Sequence, residues 1–211
     1  MYLWIPVLLS YLIGGIPFGL LIGKSRGVDI RKEGSGNIGA TNAMRVLGKS
    51  WGTATLVLDA LKGFVSAALL PFLVGETAPE VFGLICGVAA IVGHSFPVYL
   101  RFKGGKGVAT SAGVLLGVVP AAFGIGIAVF LVLLAAFRYV SLGSIGAALA
   151  VPIAAYFLDS PPVVTGVLAL LAVIVIWRHK DNIRRLLAGT ESRIDKTKKA
   201  SSSAKDNTAT S

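Results

Sequence analysis

The chain has 211 residues, of which 55 % are hydrophobic and only 14 % charged, and its formal net charge is +10. Soluble domains carry about 25 % charge, so the composition excludes an ordinary cytosolic protein, a disordered chain and a disulfide-built secreted module; it points to a polytopic membrane protein. Cys86 stands alone, which excludes an internal disulfide and a cysteine-based metal site, and the basic residues flank apolar runs without interleaved aromatic residues, so they orient the chain in a bilayer and no nucleic-acid role is expected.

Residues 1–23 carry no charge and predict a first membrane helix. No basic start or small-residue cleavage pattern marks this run as a signal peptide, so it is expected to be retained. Residues 24–50 form a polar, Gly-rich segment with basic residues outnumbering Asp29 and Glu33. Residues 51–74 predict a second span, interrupted only by Asp59 and Lys62, and residues 75–80 a short acidic turn. Residues 81–93 predict a third span, which runs into His94, Pro97, Arg101, Lys103 and Lys106. Residues 107–137 hold no charge, with Pro120 near the middle. The runs 139–158 and 160–177 predict two further spans around Asp159 and Pro161-Pro162.

Basic loops face the cytoplasm, which puts 24–50, 94–107, Arg138 and the C-terminal segment inside. Residues 107–137 must then leave and return as two short helices bent at Pro120, each about 15 residues or roughly 22 Å long. The expected fold is an all-α, polytopic integral membrane helical bundle with seven transmembrane helices, the N-terminus outside and the C-terminus cytoplasmic. Residues 1–191 form its single domain, and residues 192–211 a disordered, Ser/Lys-rich cytoplasmic tail. A six-span arrangement with one long tilted fourth helix is the alternative.

Three polar segments share the cytoplasmic side. The first holds Ser35, Gly36, Asn37, Gly39, Thr41 and Asn42, followed by Arg45. Alternating glycine and small polar residues can aim successive N–H groups at one anion, and the guanidinium of Arg45 suits phosphate. The plainer reading is a turn with a helix cap at Thr41 or Asn42. The second runs from His94 through Lys103, Gly104, Gly105, Lys106 and Gly107 to Thr110. A Gly-Gly-Lys-Gly turn opening an apolar helix offers N–H groups at the positive end of the helix dipole. It is not a nucleotide loop: before Gly48-Lys49-Ser50 and Gly23-Lys24-Ser25, Ala43 and Phe18 stand where such a loop needs its first glycine. The third carries His179 and Asn182 on one helical face and ends in Gly189-Thr190-Glu191. Ser141 and Ser144 open the helix after Arg138 and can reach the same rim. Asp59 and Lys62 are three residues apart inside a span, so they can pair, and intramembrane charges are functional suspects. No acidic pair is spaced for metal-dependent phosphotransfer, and neither a metal nor a cofactor is expected.

In these residues the sequence resembles the bacterial acyl-phosphate:glycerol-3-phosphate acyltransferase family. The resemblance runs from the first span to about Glu191. It rests on Ser35-Gly36-Asn37-x-Gly39-Ala40-Thr41-Asn42 with Arg45, on Gly93-His94-x-Phe96-Pro97 with Gly104-Gly105-Lys106-Gly107, and on Arg178-His179-x-x-Asn182 ending in Gly189-Thr190-Glu191. It implies transfer of an acyl group from acyl phosphate to the 1-hydroxyl of sn-glycerol 3-phosphate, giving lysophosphatidic acid and inorganic phosphate, the first step of phospholipid synthesis. It further implies that Ser35, Arg45, His179 and Asn182 are catalytic, that the second segment binds glycerol 3-phosphate, and that Glu191 is structural. Expected partners are the two substrates, membrane lipid and, by functional coupling, the enzyme that forms acyl phosphate. The expected location is the bacterial cytoplasmic (inner) membrane, with the active site on the cytoplasmic face. Acyl phosphate is already an activated anhydride, so binding two anions and stabilising the leaving phosphate would do most of the work. The base is open between His179, His94 and a substrate phosphate oxygen. A transporter of phosphate esters is the main alternative.

Overall fold

The computed structural model describes residues 2–75 and 81–194. The acidic residues Glu76 and Glu80, and the chain from 195 onward, lie outside the described residues. Among the described residues every regular element is helical, as hydrocarbon requires of backbone groups that must be satisfied within their own segment.

The first apolar run is two helices, α1 (Trp4–Gly15) and α2 (Phe18–Ser25), not one. Pro17 lacks an N–H and breaks the ladder there. Together they still form a 22-residue stretch long enough to cross a membrane. A short α3 (Ala40–Leu47) turns at Gly48 into α4 (Lys49–Phe64), which continues as a π turn and a 3₁₀ turn to Leu73. The third apolar run is α5 (Phe82–Ser95).

The 107–137 run breaks at Val119, immediately before Pro120, but its halves are unequal: α6 (Val108–Val118) has 11 residues and α7 (Pro120–Phe137) has 18. At helical rise, α6 covers only about 16 Å. Its far end, Leu115 and Val118, packs with Val119 on a core of Leu84, Ala122, Val151, Ala155 and Leu168, while Pro120 and Ala121 at the turn itself are exposed. The last helices are α8 (Val140–Phe157), α9 (Pro162–Arg178) and the short α10 (Lys180–Leu187), which bends 58° from α9. Among the described residues five helical stretches are long and apolar enough to cross a membrane, or six when α9 and α10 count as one.

α4 and α6 approach closely because both carry glycine at the crossing. A Cβ on Gly113 would meet the Ala60 carbonyl, and one on Gly63 the Thr110 carbonyl. Such small-residue contacts hold helices together where lipid gives no hydrophobic drive. Beside this crossing, Asp59 and Lys62 pair at 2.7 Å, each side chain 2 % exposed. Lys62 Nζ also donates to Ile16 O at 2.8 Å, a carbonyl at the Pro17 break. The broken helix and the buried cation therefore satisfy one another.

Candidate active site

The three polar segments meet at one cavity of about 520 Å³. Asn42, at the start of α3, builds the first wall. It is 2 % exposed, and its Nδ2 donates to Ile30 O at 2.8 Å and Glu33 O at 3.1 Å, while its Oδ1 accepts from Ser35 N at 2.8 Å. The side chain thus ties the 30–35 loop onto α3. Asn37 Oδ1 takes the Gly39 N–H at 2.8 Å. Ser35, Thr41 and Arg45 face the cavity from the frame that Asn42 and Asn37 hold.

The second segment departs from expectation. The N–H groups of Gly104 and Gly105 are not free: they donate to Ser95 O and His94 O, the last carbonyls of α5. The anion-facing part is Lys106 with Gly107, Val108 and Ala109, where the first turn of α6 leaves N–H groups without intrahelical acceptors. Gly36 and Lys103 are exposed and Thr110 is fully buried; like Gly104 and Gly105, they stand off the cavity wall. His94 and Asp59 form its floor, with His94 Nδ1 3.7 Å from Asp59 Oδ1.

The third segment closes the site through one carboxylate. Glu191 Oε1 accepts from Asn182 Nδ2 at 2.6 Å and Ser141 Oγ at 2.8 Å, and Oε2 from Arg185 Nε at 2.7 Å. Burial pushes the Glu191 carboxyl up, but these three donors outweigh it and hold it below the ordinary glutamate range. Lys106 Nζ in turn donates to Asn182 Oδ1. The chain Lys106–Asn182–Glu191–Ser141 joins the loop before α6 to α10 and α8 across the cavity. Ser144 bonds back to Val140 O at 2.8 Å. Burial draws Lys106 down to about 8; Glu191 opposes the shift, while Arg185 and Arg178 add to it. His179 is 3 % exposed and is brought to about 4, chiefly by burial. Its Nδ1 lies 2.8 Å from Val175 O. A carbonyl can only accept, so Nδ1 carries the hydrogen and Nε2 is an acceptor. Among the described residues, no three His, Cys, Asp or Glu side chains gather as a metal would need.

Beneath the polar cavity lies an apolar slot of about 220 Å³ between α6, α7, α8 and α9. Leu56, Val108, Ala109, Phe130 and Ser144 line both spaces, so they adjoin. On each wall the slot runs seven residues inward, from Val108 to Leu115, Phe130 to Phe123, Ser144 to Val151 and Val175 to Leu168. That is a depth of about 10 Å at helical rise. An ionic chamber opening into a greasy slot suits an amphiphile with an anionic head.

A family model described as Glycerol-3-phosphate acyltransferase matches residues 4–189. The chain belongs to the glycerol-3-phosphate acyltransferase family. Relatives named Glycerol-3-phosphate acyltransferase include one from Geobacter sulfurreducens, 48 % identical over 184 residues, covering 87 % of this chain and 93 % of the relative. One from Geobacillus kaustophilus is 50 % identical over 190 residues, covering 89 % and 94 %. Two solved forms of PlsY (YgiH), an integral membrane glycerol 3-phosphate acyltransferase, share the fold. The glycerol 3-phosphate form has a TM-score of 0.85 and 40 % identity, covering 92 % of this chain and 96 % of that one. The lysophosphatidic acid form has a TM-score of 0.83 and 39 % identity, covering 92 % and 95 %.

In this member of the acyltransferase family, one arginine lines the site without having been singled out in the sequence, and Arg178 of the third motif braces the site from outside the cavity wall. Arg185 lines the cavity, three residues after Asn182, and that spacing was a readable signal. Arg178 donates to the carbonyls of Gly104 and Gly105, more than seventy residues away in sequence, a contact that no local pattern reveals. The apolar slot was equally hidden, because no single helix carries it.

Proposed function

We propose that this protein acylates the 1-hydroxyl of sn-glycerol 3-phosphate with acyl phosphate as donor, releasing lysophosphatidic acid and inorganic phosphate. The observation that carries the reading is the junction of a cationic, N–H-rich cavity with an apolar slot. The acyl chain occupies the slot and its phosphate head the cavity, near Ser35, Arg45 and the start of α6. Glycerol 3-phosphate sits on the Lys106–Asn182 side. The hydroxyl oxygen bonds to the acyl carbon as the carbon–oxygen bond to phosphate breaks, and the hydroxyl proton leaves with the phosphate. Arg45 and the α6 N–H groups stabilise the charge on that leaving group, while Lys106 holds the phosphate of glycerol 3-phosphate. Ser35 and backbone N–H groups serve the carbonyl oxygen. His179, neutral at working pH with Nε2 as acceptor, orients the hydroxyl; a group brought to about 4 is a poor proton store near neutrality. A phosphate oxygen of the substrate takes the proton.

The finer arrangement belongs to the same proposal: seven crossings, N-terminus outside, C-terminus and active site on the cytoplasmic face of the bacterial inner membrane, catalysis confined to residues 1–191 and the tail dispensable. Acyl phosphate then arrives from its forming enzyme on the same side. Purified protein given acyl phosphate and glycerol 3-phosphate is expected to release phosphate and form lysophosphatidic acid in equal amounts, with loss in Ser35→Ala and Lys106→Ala. No turnover, together with uptake of glycerol 3-phosphate into sealed vesicles, would replace the acyltransferase by a transporter.

A further inference from the structure

Arg178 is the last residue of α9, and in sequence it resembles any basic flank of a membrane helix. Its Nη2 donates to two successive carbonyls, Gly104 O at 2.8 Å and Gly105 O at 2.6 Å. Its guanidinium lies 5.3 Å over the Phe96 ring. From the opposite side, α5 takes the N–H groups of the same two glycines. The turn is therefore bonded through its N–H groups to α5 and through its carbonyls to α9. No side chain fits within it, since a Cβ on Gly105 would strike His94 Nε2. The next residue is Lys106, which reaches Asn182. Arg178 itself does not line the cavity.

We propose that Arg178 is a positioning residue that sets where Lys106 stands in the active site, by fixing the Gly104–Gly105 turn between α5 and α9. The proposal rests on the acyltransferase reading of the site. Two bonds from a guanidinium are charge-assisted and strong. Without them the loop keeps only its N–H anchors, at the two residues with the most backbone freedom to regain. Upstream, Arg101 and Phe102 hold left-handed φ values of 51° and 63°, a conformation side chains adopt reluctantly and leave when released. Lys106 would follow the loop, and its flexible stem amplifies the error. The Arg178 charge also acts on Lys106 directly, alongside Arg185 and against Glu191 and Asp181, with neutral His179 beside them.

The test compares Arg178→Met, Lys106→Met and the double variant with the wild type, using acyl phosphate and glycerol 3-phosphate. Arg178→Met is expected to raise the KM for glycerol 3-phosphate about tenfold or more, the worth of a charge-assisted bond, with a smaller change for acyl phosphate. In the Lys106→Met background the same change should cost under about threefold, because the two residues act as one unit. The alkaline limb of the pH profile should move upward once the neighbouring cation is gone. Arg178→Lys should recover part of the activity, and it carries the same criteria if Arg178→Met does not fold. Equal losses in both backgrounds, or equal rises in both KM values with an unmoved limb, would overturn the proposal. A readout free of turnover is the rate at which an amine reagent modifies Lys106, measured at a pH above the alkaline limb of both proteins so that the amine is neutral in each, and followed by mass spectrometry. Faster modification in Arg178→Met supports the positioning role even if the acyltransferase reading fails in the wild type, and an unchanged rate refutes it.

Discussion

At the scale of single residues, the site runs on shifted ionisation. Lys106 holds its charge below about 8 and loses it as pH rises through that value, so the grip on a phosphate is present on the acid side and lost on the alkaline side. The expected profile of kcat/KM for glycerol 3-phosphate falls above about pH 8. Lys106→Arg, charged at every working pH, should abolish that limb while lowering the plateau. His179 gives the opposite kind of test. If the substrate phosphate takes the proton, His179→Gln lowers kcat by less than the 10²–10⁴-fold, roughly, that a general base contributes; a complete loss of the chemical step with glycerol 3-phosphate still bound would make the histidine the base. Glu191, held low by three donors, stabilises the fold above the ordinary glutamate pKa and ceases to do so as pH falls through its own lower one. Glu191→Gln should lower Tm and flatten that acid dependence, with a cost of about 1.5–3 kcal/mol for each charged hydrogen bond weakened. Legibility at this scale followed distance along the chain. Asp59 with Lys62 was visible because three residues apart means one helix face; His179 and Asn182 were visible by the same spacing, although His179 stands at the bend between α9 and α10 and not on a helix face. The Lys106–Asn182 and Arg178–Gly104 contacts were invisible because only the fold brings them together. Asn42 was visible as a polar residue but not as the brace of the 30–35 loop, since sequence does not distinguish a donor that faces a ligand from one that faces its own backbone.

Elements decide what the site can hold. The apolar runs told where helices lie, and the prolines told where they break, yet the consequences differed. Pro17 split a run that hydropathy alone presents as one helix, because a missing N–H leaves no trace in an apolar average. Pro120 marked the α6–α7 break, but the length of α6 is set by where the 101–107 loop ends, which packing against α5 determines. The apolar slot exists because Ala109 and Ala112 on α6, Ala147 and Ala148 on α8 and Ala172 on α9 keep its walls thin. Enlarging one wall is therefore a test of what enters. Ala148→Phe is expected to reduce kcat/KM for a long acyl phosphate about tenfold relative to a short one, since pocket volume discriminates by a few methylenes' worth of contact. A uniform loss across chain lengths would place the acyl chain elsewhere.

For the molecule as a whole, the question is how a chain with five or six clear spans brings all three polar segments to one end. The hydrogen bonds answer part of it. Lys106, just before α6, is joined through Asn182 and Glu191 to Ser141 in α8, and Arg138, just after α7, donates to Ile194 O at 3.0 and 2.6 Å. The α6–α7 pair therefore leaves the active-site end and returns to it, so Ile194 and the active site lie at the same end of the bundle. With α6 only 11 residues long, the bilayer must thin locally or the turn must sit below the far surface. Single cysteines introduced after Cys86→Ala and probed with a membrane-impermeant reagent decide this. Cysteines replacing Tyr2, Ala121 and Ser160 are expected to react from outside, and those replacing Lys103 and Thr190 only from the cytoplasmic side. Reaction of the Ala121 and Thr190 positions from the same side would remove the seven-span arrangement. An Ala121 position that reacts from neither side would make α6–α7 a buried hairpin, leaving the active-site end where the hydrogen bonds put it but reducing the crossings around it.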